Sequence, residues 1–301
     1  MPGLSGVTAM YDFETYHRAE SVAHAVSLLT TDPQARLLAG GTDVLIQLHH
    51  LNERFRRIVD IHDLPELRGI SCDDAGHIRI GSATTFSELI DSPVINKCLP
   101  ALSEAAATIA GPQIRNVATY GGNICNGATS GDSACPSLVY QAELEIATPD
   151  GIRRRPLRGF HTGPGKVAFE PGELLIAFHF SPENYRGKGS AAYKYAMRGA
   201  MDIATINCAA LCDIREGRFE ELRLAFGVAA PTPVRCEHAE AAAIGKPVTA
   251  DTLKAVSQAI EQDVAPRTSW RAEKEFRLHL IRVLSERVIR TAAERLGEKI
   301  A

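Results

Sequence analysis

The chain has 301 residues, of which 45% are hydrophobic and 23% are charged, so it has enough apolar material for two or three packed units of a globular protein. Its 36 acidic and 33 basic residues give a net charge of -3, which excludes the broad basic surface that nucleic-acid binding requires. No apolar run is long enough to span a membrane and the N-terminus lacks the regions of a signal peptide, so we expect a cytoplasmic protein with no membrane span.

The first lobe is predicted to occupy residues 10–63, after a flexible leader at residues 1–9. Apolar residues at helical spacing follow Ser21, which can cap a helix that ends near Leu29. Further along the chain, the pattern predicts a strand, a helix and a second strand at residues 35–38, 44–51 and 57–61. These three elements form a small βαβ unit.

The second lobe is predicted to occupy residues 64–181. Alternating apolar residues predict a strand at residues 77–82, and Thr84 or Thr85 can cap the helix that follows. Pro-Asp-Gly at Pro149–Gly151 is a strong hairpin signal. The other predicted elements are helices at residues 99–110 and 136–142, hairpin strands at 143–148 and 152–155, and a buried strand at 173–180.

Two glycine-rich stretches dominate the candidate chemistry; we call them the first glycine segment (residues 37–44) and the second glycine segment (residues 109–132). The first has Gly40 and Gly41 between a predicted strand and helix, where a helix N-terminus favours an anion. The second has five glycines among Asn, Thr and Ser, too densely for a strand or helix interior, and is predicted to be a loop. Adjacent glycines let consecutive backbone N–H groups approach a phosphate or diphosphate. We expect the two segments to grip one diphosphate from two sides, although glycine pairs also occur in plain tight turns.

Residues 190–301 are predicted to form a smaller α+β unit, which the polar, turn-rich stretch Pro182–Ser190 separates from the second lobe. Its predicted strands lie at residues 192–197, 203–214 and 219–229, and its predicted helices at 237–244, 252–262 and 270–296. The last helix has one apolar stripe, formed by Phe276, Leu280, Leu284, Val288 and Ile289. We expect this stripe to pack in the core, and docking of another subunit is the alternative.

Seven cysteines are scattered along the chain without a C-x-x-C pair. Structural zinc and iron–sulfur ligation both require closer clusters, so we expect no metal site in this chain. Most of the cysteines are predicted to be buried or idle thiols in a reducing compartment. Cys125 is the exception, because it lies within the second glycine segment and can approach a bound cofactor.

Four separated segments occur in a fixed order: LLAGGTDVL, AGPQIRNVATYGGNICNGATSGD, FHTGPGK and YKYAMRGAMDIATI. Together they resemble the FAD-binding medium subunits of the molybdenum hydroxylase flavoprotein family, in particular the bacterial xanthine dehydrogenase type. The likeness extends from about Met10 to the C-terminus. It implies an α+β protein in which a two-lobed FAD-binding domain of the vanillyl-alcohol oxidase type is followed by a smaller α+β C-terminal domain.

The resemblance also implies which residues meet the cofactor. Lys194 would lie beside the isoalloxazine ring, where a cation stabilises the electron density of reduced flavin, although a surface strand lysine is the alternative. Asp202 falls in a loop that lies near the flavin in relatives. Ile109 stands where eukaryotic relatives place an aromatic residue on the flavin, so this stacking is expected to be lost. The other implied cofactor residues are Leu37, Leu38, Ala39, Gly40, Gly41, Thr42, Asp43, Val44, Ala110, Thr119, Tyr120, Gly121, Gly122, Asn123, Asn126, Asp132 and Leu175.

The activity that the resemblance implies is electron relay. FAD would receive electrons from iron–sulfur (2Fe-2S) centres on one partner subunit and pass them to NAD, while a molybdopterin-containing partner subunit oxidises the substrate. Two other functions are compatible with the residues. The chain could serve a molybdenum hydroxylase that acts on an aldehyde, a nicotinate-like ring or carbon monoxide, or it could be a nucleotide-diphosphate binding module without a redox task.

Overall fold

A computed structural model describes residues 12–300; the predicted leader at residues 1–9 lies outside this range. A three-stranded parallel sheet comes first, with β1 (Thr15–Arg18), β2 (Arg36–Leu38) and β3 (Arg57–Asp60) in the order β1-β3-β2. Helix α1 (Val22–Thr31) follows β1, and α2 (Val44–His49) connects β2 to β3. The predicted βαβ unit is confirmed. Strand β1 has no sequence signal because all four of its residues are exposed and do not alternate.

Helix α1 begins where its sequence signal places it. The Ser21 hydroxyl accepts a hydrogen bond from the N–H of His24 at 3.1 Å, which satisfies one of the free donors of the first turn. Ala25, Val26 and Leu29 are buried at helical spacing. This face packs on the second sheet, so the first lobe is fixed to the second through apolar contacts.

The second sheet has five antiparallel strands in the order β4-β5-β10-β6-β7. Its strands, with the small hairpin β8–β9 between them in the chain, are β4 (Ile70–Cys72), β5 (Ile78–Gly81), β6 (Glu143–Thr148), β7 (Gly151–Pro156), β8 (His161–Gly163), β9 (Lys166–Val167) and β10 (Leu174–Phe180). The predicted hairpin is confirmed, because β6 and β7 pair directly across the Pro-Asp-Gly turn.

Six short helices cover this sheet: α3 (Phe86–Asp91), α4 (Pro93–Cys98), α5 (Pro100–Ala107), α6 (Pro112–Arg115), α7 (Tyr120–Cys125) and α8 (Ala134–Val139). Thr85 caps α3 in a capping box with Glu88. The helix predicted for residues 99–110 ends at Ala107. Four 3-10 turns, Glu53–Phe55, Pro65–Leu67, Pro182–Asn184 and Ile260–Gln262, complete the connections.

The last part of the chain forms a four-stranded antiparallel sheet in the order β11-β12-β13-β14, with β11 (Gly189–Tyr195), β12 (Ile206–Arg215), β13 (Arg218–Gly227) and β14 (Val234–Arg235). Helices α9 (Glu237–Ala243), α10 (Ala250–Ala259) and α11 (Lys274–Glu294) follow it. The predicted start of the second strand at Ile203 is wrong: that residue is 50% exposed and the strand begins at Ile206.

Helix α11 packs on the third sheet through a face that includes Leu280, Leu284, Val288 and Ile289, as predicted. Phe276 was also expected on this stripe, but it is 43% exposed and lies outside the core. The same turn instead buries Arg277. An apolar stripe inferred from spacing therefore begins one turn too early.

The third sheet lies against the helices of the second lobe. Ala209, Leu211 and Ala225 belong to the same buried cluster as Ile124 and Leu138. The second glycine segment is consequently held between the second sheet and the third sheet. None of the helices within residues 12–300 is both long and apolar enough to cross a membrane.

Candidate functional site

The two glycine segments meet face to face. A Cβ atom added to Gly40 would lie 1.9 Å from the carbonyl oxygen of Val117 and 3.1 Å from the Cα of Ala118. Close to this contact, desolvation raises the pKa of Asp43, and a hydrogen bond from the Asn126 side chain opposes that rise. The predicted approach of one segment to the other is confirmed, and Gly40 is required because no side chain fits between them.

The first glycine segment presents free backbone donors. Within residues 12–300, the N–H groups of Gly40, Gly41, Thr42 and Asp43 have no hydrogen-bond acceptor. Gly41 has a φ of +74°, which is a left-handed conformation that glycine adopts without strain. Consecutive free N–H groups in such a turn form a concave site for an anion. These free donors are the kind of group that binds a diphosphate.

The second glycine segment is not the loop that its glycine content predicts. It contains helix α7, and the N–H groups of its glycine pair already have acceptors: Gly121 donates to the Ser82 carbonyl at 2.7 Å, and Gly122 to the Thr119 hydroxyl at 3.1 Å. A Cβ on Gly121 would lie 2.6 Å from the Cβ of Ser82. Close packing, rather than phosphate binding, therefore explains this glycine.

Tyr120 is also a packing residue. Its ring stacks on Phe178 with centroids 3.9 Å apart, its hydroxyl bonds Ser137, and its backbone N–H donates to Thr84. The ring is completely buried, and burial raises its pKa beyond the usual range of tyrosine. This side chain anchors α7 to the second sheet.

We expect Gly121→Ala to destabilise the protein by about 1–3 kcal/mol, because the added methyl group would overpack the contact with Ser82. Urea unfolding measures this loss, with Gly199→Ala as a control since an added Cβ there meets no atom within 4 Å. FAD affinity of the folded variant should change by less than about threefold. Unchanged stability combined with lost FAD binding would contradict the packing explanation.

A buried polar cluster joins the second glycine segment to the third sheet. The Lys194 ammonium donates to Asp132 at 2.7 Å and to the carbonyl of Thr108 at 3.1 Å. The Asn207 amide donates to the other oxygen of Asp132 at 2.8 Å. A cavity of about 10 Å³ adjoins these side chains, which is enough for one water molecule. Asp132 and Lys194, both predicted site residues, are thus in direct contact.

The electrostatics of this cluster are set by burial. Burial raises the pKa of Asp132, while the charge of Lys194 and the hydrogen bonds from Lys194 and Asn207 oppose the rise. The side chains of Lys194 and Asp132 are only 8% and 10% exposed. Lys194 is therefore a fixed cation in a paired, desolvated setting, and the surface-lysine alternative is wrong.

Two more predicted residues of the second glycine segment lie next to a hydrogen-bond acceptor of Lys194. Its acceptor Thr108 precedes Ile109 and Ala110, whose carbonyls accept hydrogen bonds from Arg115 at 2.8 and 3.3 Å. Ala110 has a φ of +41°, an unusual conformation for a residue with a side chain. Leu175 and Ile109 share one buried cluster.

Other predicted residues have structural partners. The Asn123 side chain accepts a hydrogen bond from Ser133 at 2.6 Å. The Asp202 carboxylate accepts hydrogen bonds from the backbone N–H groups of Arg198 and Ile203, so it stabilises its own loop. Thr119 caps α7.

The Cys125 thiol is half-buried, and burial raises its pKa to about 12. A thiol with that pKa remains protonated at neutral pH and is a poor nucleophile. All seven cysteines are free, four of them buried, which confirms the prediction of mostly buried or idle thiols.

Both parts of the chain match known protein families. Residues 10–182 match the family described as the FAD binding domain in molybdopterin dehydrogenase, and residues 191–292 match the CO dehydrogenase flavoprotein C-terminal domain. The chain belongs to the molybdopterin dehydrogenase flavoprotein family. The match also confirms the predicted α+β fold, an FAD-binding domain followed by a smaller C-terminal domain.

Individual members of this flavoprotein family resemble the chain over nearly its whole length. A xanthine dehydrogenase FAD-binding subunit of Escherichia coli O157:H7 is 62% identical over 291 residues, which cover 97% of this chain and 100% of that protein. The carbon monoxide dehydrogenase medium chain of Hydrogenophaga pseudoflava is 31% identical over 278 residues, 92% of this chain and 96% of that protein. A solved structure of carbon monoxide dehydrogenase from H. pseudoflava superposes with a TM-score of 0.89 at 32% identity, covering 94% and 98% of the two chains.

The residues present fit the FAD that the flavoprotein family implies. FAD has a diphosphate, and the first glycine segment has four free N–H groups beside a position where only glycine fits. Two supporting residues have no sequence signal of their own: Asn207 bonds Asp132, and His62 bonds the Ala39 carbonyl at 3.1 Å. Both gain these roles through contacts between residues that are distant in the chain. Arg115, which bonds the carbonyls of residues 109 and 110, lies within the second glycine segment.

Proposed function

We propose that the chain is the FAD-binding electron-transfer subunit of a cytoplasmic xanthine dehydrogenase complex that passes electrons from iron–sulfur centres of a partner subunit to NAD. The observation that carries this proposal is the 62% identity to the E. coli O157:H7 xanthine dehydrogenase FAD-binding subunit over that protein's entire length. The free N–H groups of the first glycine segment support it, since they fit a dinucleotide diphosphate.

Bound FAD would supply the chemistry that amino-acid side chains lack, because a flavin accepts single electrons and transfers hydride. The chain supplies position and electrostatics. The N–H groups of residues 40–43 would hold the diphosphate, and the contact between Gly40 and Val117 fixes the spacing of the two lobes. Lys194 provides a desolvated cation near Ile109 and Ala110, which stabilises added negative charge there. Asp132 and Asn207 act as positioning residues for that cation.

A related function differs only in the partner. The 31% identity to the carbon monoxide dehydrogenase medium chain favours a flavin subunit that serves another molybdenum hydroxylase as the second candidate. The substrate is chosen by the molybdenum subunit, so purification of the intact complex and assay of its substrates decides between the two. Oxidation of xanthine supports the first candidate, whereas oxidation of an aldehyde or carbon monoxide but not xanthine supports the second.

Reconstituting the chain with FAD and adding NADH without oxygen should bleach the visible flavin absorption. Reduction of the flavin by NADH is the reverse of the proposed final step, in which the reduced flavin passes electrons to NAD. Dithionite serves as the control that the bound flavin is reducible. A flavin that dithionite bleaches but NADH leaves yellow would show that NAD is not the acceptor. Folded protein that retains no FAD would instead favour a nucleotide-diphosphate module without a redox task.

A further inference from the structure

A side chain from outside the first glycine segment holds one of its carbonyl groups. The Nδ1 atom of His62 lies 3.1 Å from the Ala39 carbonyl oxygen. A carbonyl oxygen only accepts hydrogen bonds, so this bond requires the proton to be on Nδ1. In the part of the chain that the structure describes, the Ala39 carbonyl has no other hydrogen-bond donor. The imidazole of His62 therefore sets the direction of this carbonyl.

The backbone of His62 is itself held on both sides. Its N–H donates to the Asp60 carboxylate at 2.8 Å, and its carbonyl accepts a hydrogen bond from the Arg68 guanidinium at 2.8 Å. The other carboxylate oxygen of Asp60 accepts a hydrogen bond from the Tyr16 hydroxyl on β1. Strands β2 and β3 are parallel neighbours, so Ala39 and His62 both lie just beyond the carboxyl ends of their strands. The first sheet, and not the glycine segment, thus places the imidazole.

The Ala39 carbonyl belongs to the same peptide unit as the Gly40 N–H, which is one of the four free donors. The described residues contain no cis peptide bond, and in a planar trans unit the carbonyl and the N–H point in opposite directions. The direction of the Ala39 carbonyl therefore decides the direction of the Gly40 N–H.

Packing alone does not fix this direction. The contact between Gly40 and Val117 holds the Gly40 Cα in place, but the peptide unit before it can still rotate about the line between the two neighbouring Cα atoms. Glycine opposes such a rotation less than other residues do, because it has no Cβ. A reversed unit would present a carbonyl oxygen to an anion, and the two negative charges would repel each other. The hydrogen bond from His62 prevents that reversal.

We infer that His62 is a positioning residue that directs the Gly40 N–H toward the diphosphate of FAD. The inference rests on the proposed function, since it concerns the same FAD site. The hydrogen bond to the Ala39 carbonyl orients the peptide unit, and it also polarises the unit, which makes the Gly40 N–H a stronger donor. The side chain of His62 is 41% exposed, so its replacement leaves no buried cavity.

The test compares side chains that differ in where they carry a donor. Asparagine has its amide nitrogen as many bonds from the backbone as Nδ1 of histidine, leucine has the same branched shape without a donor, and glutamine carries its amide one bond further out. We expect His62→Leu and His62→Gln to weaken FAD binding about fivefold, which corresponds to the loss of one hydrogen bond, and His62→Asn to stay within about twofold of the wild type. Titration of the full-length apoprotein with FAD, followed by flavin fluorescence, measures these changes. His17→Leu is the control, because it removes an exposed histidine from β1 of the same sheet.

Phosphorus NMR of the FAD-saturated proteins separates an effect on the diphosphate from a general loss of structure. The diphosphate resonances of bound FAD should move in His62→Leu, because one donor has turned away, while the visible spectrum of the isoalloxazine ring stays the same. Both signals should match the wild type in His62→Asn. Circular dichroism checks that the variants are folded, and His62→Gln provides the same comparison if His62→Leu does not fold.

Three results contradict the assignment of His62. Wild-type affinity and unmoved phosphorus resonances in His62→Leu overturn the inference and leave the proposed function intact. Equal weakening in His62→Leu and His62→Asn also overturns it, because the ring and not its hydrogen bond is then required. Weakened FAD binding with unmoved phosphorus resonances shows a general structural role and overturns it as well. A folded wild-type chain that binds no FAD overturns the proposed function and this inference together.

Discussion

Gly40→Ala is expected to weaken FAD binding by about 100-fold. The new methyl carbon would lie 1.9 Å from the Val117 carbonyl oxygen, far inside van der Waals contact. A Cβ atom is fixed by its backbone and the carbonyl oxygen belongs to the backbone, so no change of rotamer relieves the clash. The two glycine segments must separate, which is overpacking of the kind that costs about 1–3 kcal/mol. Titration of the apoprotein with FAD, followed by flavin fluorescence, measures the change in the dissociation constant.

The control for Gly40→Ala is Gly199→Ala, which adds the same methyl group where it meets no atom within 4 Å. The control should bind FAD as the wild type does. Gly40→Ala with wild-type affinity would show that the diphosphate does not depend on the spacing of the two glycine segments. Circular dichroism of both variants checks that the comparison is made between folded proteins.

Lys194→Met is expected to destabilise the protein by about 3–5 kcal/mol at neutral pH, because it leaves the carboxylate of Asp132 buried without its counter-ion. Burial already raises the pKa of Asp132, and loss of Lys194 removes an opposing effect. The folded variant then binds the Asp132 proton more tightly than the unfolded chain does. Stability is therefore greatest below the unfolded pKa of about 3.9 and falls as the pH rises from there to the folded pKa. Urea unfolding at several pH values measures this slope.

A double variant, Lys194→Met with Asp132→Asn, is the matched test of this explanation. Removing both charges should recover much of the lost stability and abolish the additional pH dependence, because no unpaired charge remains buried. Lys254→Met, at an exposed position on α10, controls for the loss of a lysine. Equal destabilisation of the single and double variants would mean that packing of the lysine stem, and not the ion pair, is the main contribution.

Local signals account for much of the first lobe and for the hairpin of the second sheet. Ser21 caps α1 through its own side chain, and the Pro-Asp-Gly turn joins β6 and β7, so both features depend on neighbours in the sequence. The first glycine segment also depends on neighbours in the sequence, since its conformation follows from Gly41 and the start of α2.

Features decided by distant contacts could not be derived in this way. The density of glycine predicts a loop around Gly121, yet Tyr120–Cys125 is helical, and residue 121 is glycine because Ser82 leaves no room for a side chain there. Asn207 lies 75 residues from Asp132 in sequence, and the motif that ends at Ile206 does not include it. Arg277 is similarly buried although its charge predicts exposure, because its partners Thr205 and Ser269 come from outside the helix.

The join between the third sheet and the second glycine segment limits how such proteins can be recombined. The Val228 N–H donates to the Thr129 carbonyl at 2.9 Å, a Cβ on Gly227 would lie 2.9 Å from that same oxygen, and Asn207 supports Asp132. These contacts need matching residues on both sides. Consider a chimera that takes its FAD-binding domain from one homologue and its C-terminal domain from another. The residues on both sides of these contacts must come from the same parent, or the flavin environment of neither parent is inherited.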